Sequence, residues 1–123
     1  MTIPEKYVQG LRKTYLLDWF SLDSIATFPF FMTVNKISAE YFCELVTTDI
    51  TLENGLTRKN SADLIYHLCG VSFRVKKPKK VKFATGDVAL VISFDNRKTK
   101  VTNKEQAINL IERDKVRFYE VIV

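Results

Sequence analysis

Arg58 and Lys59 stand directly before a stretch, Asn60 to Gly70, that reads as a short helix. Arg97 stands in a polar stretch, Asp95 to Lys100, that follows the most apolar segment of the chain. These are residue types for holding an anion. A helix start presents unpaired backbone N–H groups and a partial positive charge, so two full cations beside it make a seat for a phosphate. A guanidinium just past a central strand can hold a phosphate in bidentate fashion, where open α/β sheets commonly bind ligands.

Other chemistry has little to work with. No glycine-rich phosphate loop is present, which argues against an NTPase or a dinucleotide-dependent dehydrogenase. The single histidine, His67, argues against serine-type triads and multi-histidine metal sites, and its place beside Leu64 and Leu68 is that of a structural boundary residue. The two cysteines, Cys43 and Cys69, match no zinc spacing. They are expected to be buried free thiols, a bridge being the expectation only in a hyperthermophile or an oxidising setting. No metal or other cofactor is expected. Arg74, Lys76, Lys77, Lys79, Lys80 and Lys82 crowd around Pro78. No aromatic residue interleaves them to stack bases, so protection of an exposed strand edge is favoured over phosphate tracking.

The elements that must position these groups follow from periodicity. Thr14 to Phe20 has the bulk of a buried strand, and Phe30 to Lys36 that of a second. Ser38 caps a helix over Ala39 to Val46 that buries Phe42, Leu45 and Val46. Asp49 to Leu52 suits a short edge strand and Glu53-Asn54-Gly55 a turn. In the next helix Asn60 is expected to cap, Asp63 to reach back to it, and Gly70 to close the last turn. Val71 to Val75 and Lys80 to Phe83 alternate like a strand pair or one broken strand. Gly86-Asp87 is a turn. Val88 to Phe94 is uniformly apolar and so expected to be the central strand, buried on both faces. Thr102 with Glu105 forms a capping box before a helix burying Ala107, Ile108 and Ile111, and Val116 to Val123 closes as a strand. The sum is a single α/β domain: a mixed, roughly five-stranded sheet with about three helices, over residues 13–123, after an N-terminal extension of residues 1–12.

Composition agrees with this scale. At 123 residues, 46% hydrophobic and 27% charged, the chain can bury one core, and its net charge of +5 leans toward an anionic partner. The longest apolar stretch, around Ser24 to Asn35, is broken by Pro29 and too short for a bilayer, so no membrane partner is expected. The start, Met1 to Lys6, lacks a signal-peptide layout, which makes the cytoplasm the expected location.

Read together, the segments resemble a viral family: the ring nucleases that serve as type III anti-CRISPR proteins, first met in archaeal viruses as proteins of unknown function. The likeness runs through Asp18-Trp19-Phe20-Ser21-Leu22, Phe28-Pro29, Phe42-Cys43, Leu68-Cys69-Gly70, Gly86-Asp87, Asn96-Arg97 and Val116 to Val121, in family order. It covers Lys13 to Val123.

The resemblance implies a homodimer that holds cyclic tetra-adenylate in a basic pocket on its two-fold axis. It also implies cleavage without metal, in which a ribose 2′-hydroxyl attacks the adjacent phosphate, a histidine protonates the leaving oxygen and the loop arginine steadies the charge. Ser21 and Arg97 are retained. The family histidine falls on Arg58, with Lys59 in place of the following acid, and no carboxylate follows Arg97 in Lys98-Thr99-Lys100. An arginine binds phosphate but does not give up its proton. The expected function is therefore binding of a cyclic oligonucleotide through Phe20, Ser21, Arg58, Asn60, Asn96 and Arg97, with slow or absent cleavage that Arg58, Lys59 and Arg97 would carry. If the protein is viral, the host cytoplasm is its expected location, and no stable complex with duplex nucleic acid is expected. The alternatives are an active ring nuclease with Lys59 as a substitute acid, and a non-enzymatic nucleic-acid or protein-binding module using the lysines near Pro78.

Overall fold

A computed structural model describes residues 13–20, 32–49, 51–79 and 81–123. Five strands form one sheet: β1 (Thr14–Leu17), β2 (Thr33–Ile37), β3 (Leu52–Gly55), β4 (Val88–Phe94) and β5 (Val116–Ile122). Three helices are described with them: α1 (Ala39–Thr48), α2 (Lys59–Cys69) and α3 (Lys104–Glu112). The sheet order is β2-β5-β4-β1-β3. β1 runs parallel to both β3 and β4, whereas β5 is antiparallel to both β4 and β2. The mixed α/β domain expected from the sequence is thus the observed one. The proposed extension, residues 1–12, lies outside the described residues.

Alternation along the strands sorts the core into two layers. Leu16, Leu90, Ile92, Val116 and Phe118 meet Phe42 and Val46 of α1, Leu64 and Ile65 of α2 and Ala107 of α3. Tyr15, Leu17, Ala89, Val91 and Val121 meet Phe83 on the other face. β4 sits in the middle of the order and is buried on both faces from Val88 to Ile92, as its unbroken apolar run requires. Burying a side chain such as Leu90 contributes about 1.5–3 kcal/mol, and truncating it to alanine would cost about 2–5 kcal/mol.

Local signals decide most boundaries. Ser38 accepts from the Tyr41 amide and starts α1. Gly70, at φ 75°, ends α2 in the left-handed conformation that glycine takes without strain. Gly86, at φ 93°, makes the turn before β4.

Four expectations are corrected. Glu53-Asn54-Gly55 is not a turn but most of β3, paired in register with Tyr15, Leu16 and Leu17. Gly55 fits there because a Cβ would lie 2.6 Å from the Leu17 side chain. Residues 71–79 and 81–82 form no strand, and Phe83 makes only an isolated bridge. The segment instead runs beside the free edge of β3, where the Lys76 amide donates to Leu56 O and Asn54 Nδ2 donates to Arg74 O. The cap of α3 is Asn103, which accepts from the Gln106 amide, while Gln106 reaches back to Thr102; Ile108 is exposed rather than buried. Lastly, Cys43 and Cys69 are not free thiols. They form a disulfide between α1 and α2, with Cα atoms 5.2 Å apart, because the two helices pack side by side.

The antiparallel edge is held by charge. Asp114 accepts from Lys36 Nζ of β2 and from Arg117 Nε, each at 3.2 Å, and Arg117 Nη1 reaches Asp95 at 2.8 Å. The Lys36 hydrogen bond, followed by that of Arg117, holds the Asp114 carboxyl below its usual range.

Candidate anion-binding site

The C-terminal ends of the three parallel strands converge on one corner of the sheet. β1 ends into Asp18, β3 into Leu56-Thr57-Arg58, and β4 into the loop of residues 95–100. A cavity of about 470 Å³ opens there, lined by Arg58, Lys59, Asn60, Arg97, Lys98 and Lys100 among others. Two segments 37 residues apart in sequence thus share one concave surface. Asn60 joins them: its Nδ2 donates to Arg97 O at 3.1 Å and to Thr99 O at 2.9 Å.

Asn60 therefore does not cap α2 as the sequence suggested. The N-cap position is Arg58, whose side chain makes no cap hydrogen bond. Nor does Asp63 reach back to Asn60; it pairs with Lys59 at 3.7 Å, one turn away. The capping acceptor comes from the residue that follows β1. Asp18, only 4% exposed, accepts from the Thr57 amide at 2.9 Å and the Arg58 amide at 2.8 Å through Oδ2. Its Oδ1 accepts from Thr57 Oγ1 at 2.8 Å, and Arg58 Nη1 donates to Asp18 O at 3.2 Å.

The cavity is cationic. Arg58, Lys59, Arg97, Lys98 and Lys100 line it against one carboxylate, Asp63. Among the described residues, Arg58, Arg97, Lys98 and Lys100 enter no ion pair, whereas Asp95, at the head of the same loop, is paired with Arg117 and Lys115. Unpaired cations facing a concave surface raise the local concentration of anions.

The structure brings together Arg58, Lys59, Asn60 and Arg97 of the residues singled out from sequence. Asn96 is in the loop but does not line the cavity; its Oδ1 accepts from the Lys98 amide and shapes the turn. Phe20 packs on Phe83, ring centroids 5.6 Å apart, in the layer beneath the opposite sheet face. Ser21 lies outside the described residues. His67 stands near the far end of α2, roughly 12 Å from Lys59 along the helix axis at 1.5 Å per residue. Sequence reasoning missed Lys98 and Lys100 as cavity cations and Asp18 as the residue that fixes the corner. A carboxylate at the C-terminal end of an apolar strand was the signal for it.

A second concave surface, about 530 Å³, lies between β3 and the lysine-rich segment, with Lys76, Lys77, Lys79 and Lys82 facing Tyr15 and Glu53. Among the described residues no group of histidine, cysteine, aspartate and glutamate side chains is placed to hold a metal, and no helix is long and apolar enough to cross a membrane.

No protein-family model matches the chain, and no curated protein does. Among solved structures, B116 of Sulfolobus turreted icosahedral virus is similar, with a TM-score of 0.81 and 31% sequence identity over 90% of this chain and 99% of that one.

Proposed function

This chain belongs to the family of B116 of Sulfolobus turreted icosahedral virus, and from that premise we propose that it is a viral protein that binds a cyclic oligoadenylate, cyclic tetra-adenylate first, and cleaves it slowly or not at all. The observation that carries the reading is the corner cavity, in which Arg58 and Lys59 at the start of α2 meet Arg97 of the 95–100 loop. Guanidinium and ammonium groups from two elements suit a ligand with several phosphates at fixed separation. A ring with two-fold symmetry would present the same phosphates to two copies of the corner, which is the reason to propose a homodimer.

The residues present favour binding over turnover. Cleavage by an internal 2′-hydroxyl needs a proton for the leaving oxygen, and loss of a general acid typically costs about 10²–10⁴-fold in rate. Arg58 can neutralise a phosphate but keeps its proton, and His67 lies well away from the cavity. Lys59 is exposed and already engaged with Asp63, at 3.7 Å. Sequestration of a type III CRISPR second messenger in the host cytoplasm would follow from such binding.

Calorimetry with cyclic tetra-adenylate should give saturable binding at one ring per two chains. A parallel incubation resolved by chromatography should show little linear product. Absence of heat at high protein concentration would sink the proposal, and rapid cleavage would replace it with that of an active ring nuclease. The lysine-lined surface beside β3 favours a second reading, a module for single-stranded nucleic acid. Affinity for an oligonucleotide that falls steeply with salt would support it.

A further inference from the structure

We infer that Asp18 is a positioning residue that fixes the Arg58 end of the cavity while its negative charge holds down the affinity of that cavity for anions; the inference rests on the reading of the corner as an anion site. The first half follows from geometry. α2 begins at Arg58 without a side-chain cap of its own, and the carboxylate of Asp18 supplies the acceptors for the Thr57 and Arg58 amides and the Thr57 hydroxyl. The backbone oxygen of the same residue takes Arg58 Nη1. One buried residue just past β1 thus sets where α2 starts and where the Arg58 guanidinium points.

The second half follows from charge. Asp18 is 4% exposed, its Oδ2 is 2.8 Å from the amide of cavity-lining Arg58, and water has little access to screen it. A buried carboxylate behind a wall of cations opposes the same anion that those cations attract. An amide would keep the geometry without the charge. Asn accepts both N–H bonds through its oxygen, and the Thr57 hydroxyl, free to rotate, accepts from its NH₂.

Two substitutions therefore move affinity in opposite directions, which a purely structural role would not do. Asp18→Asn should bind cyclic tetra-adenylate about three- to tenfold more tightly than wild type at low salt, with the gain shrinking as salt rises. Asp18→Ala should bind it about tenfold more weakly, since the Thr57 and Arg58 amides lose their acceptor and only the backbone oxygen remains to hold Arg58 Nη1. Thr57→Val keeps the carboxylate, removes one donor, and should give a milder loss if the alanine variant fails to fold.

Inorganic pyrophosphate, followed through the Lys59 and Asn60 amide resonances, serves as a second probe. Amide hydrogen exchange at Thr57 and Arg58 should stay slow in wild type and Asp18→Asn and quicken in Asp18→Ala. If the ring fails to bind but pyrophosphate ranks the variants in this order, the functional reading falls and the assignment of Asp18 stands. If Asp18→Asn binds neither anion more tightly than wild type, the assignment is overturned.

Discussion

A buried aspartate pins each end of the parallel strands, and the two ends differ in what surrounds it. At the N-terminal end Asp87, 3% exposed, accepts from the Lys13 amide at 2.9 Å and the Ala84 amide at 2.8 Å. The chain closes over it, with the Val123 amide donating to Asp87 O and the Gly86 amide to Val123 O. At the C-terminal end Asp18 does the same for Thr57 and Arg58, but the groups that it organises face a cavity lined by five cations. Identical chemistry, a carboxylate gathering backbone amides, is structural at one end and, on the proposed reading, a platform for recognition at the other. The difference lies in the neighbours: at one end Val123 lies across the aspartate, and at the other stand cations of which, among the described residues, only Lys59 has an ion-pair partner.

That contrast can be broken most forcefully at the closed end. Asp87→Ala leaves two amides without acceptors and should lower unfolding free energy by about 2–4 kcal/mol in urea titrations, while ring affinity changes less than about twofold. The converse is expected of Arg97→Ala. Among the described residues its side chain enters no ion pair, so stability should stay within about 0.5 kcal/mol of wild type. Affinity for cyclic tetra-adenylate should fall about 10–100-fold by calorimetry, as for loss of a charge-assisted hydrogen bond. A variant at either end that moved both quantities equally would erase the distinction.

The smallest effect sharpens it from the antiparallel side. Asp114→Asn keeps a residue that tolerates φ 55° and removes the partner of Lys36 and Arg117. Because the folded carboxyl is held low, chiefly by Lys36, its contribution is present above its ordinary range and is lost as pH falls through the depressed value. Thermal melts should therefore show wild type slightly ahead of Asp114→Asn at neutral pH and level with it in acid, with less difference in high salt. Ring binding should be indifferent to the substitution.

Much of the frame was legible in the chain because its signals are local. The apolar run Val88 to Phe94 could only be an inner strand, and Ser38 and Gly70 punctuate their helices as their chemistry dictates. β3 was hidden, since Glu53-Asn54-Gly55 has turn propensity and is held extended by pairing with β1. The alternating stretch from Val71 misled in the other direction: alternation marks a strand only where a partner takes its hydrogen bonds, and beside β3 it exchanges few. At the candidate site the cations Arg58, Lys59 and Arg97 were visible by type and spacing. Asp18 was not, because what distinguishes it from a loop carboxylate is a set of donors some 40 residues away.

The bridge between Cys43 and Cys69 makes a closed circuit of the backbone between them, 26 residues around. By chain entropy alone, such a closure is worth about 3.5 kcal/mol to the native state. Everything on that circuit, including β3 and the turn that carries Arg58, stays on a short leash when neighbouring strands part. The leash is fastened at the far tip of α2, and Asp18 moors the near one, so the helix is tied down at both of its ends.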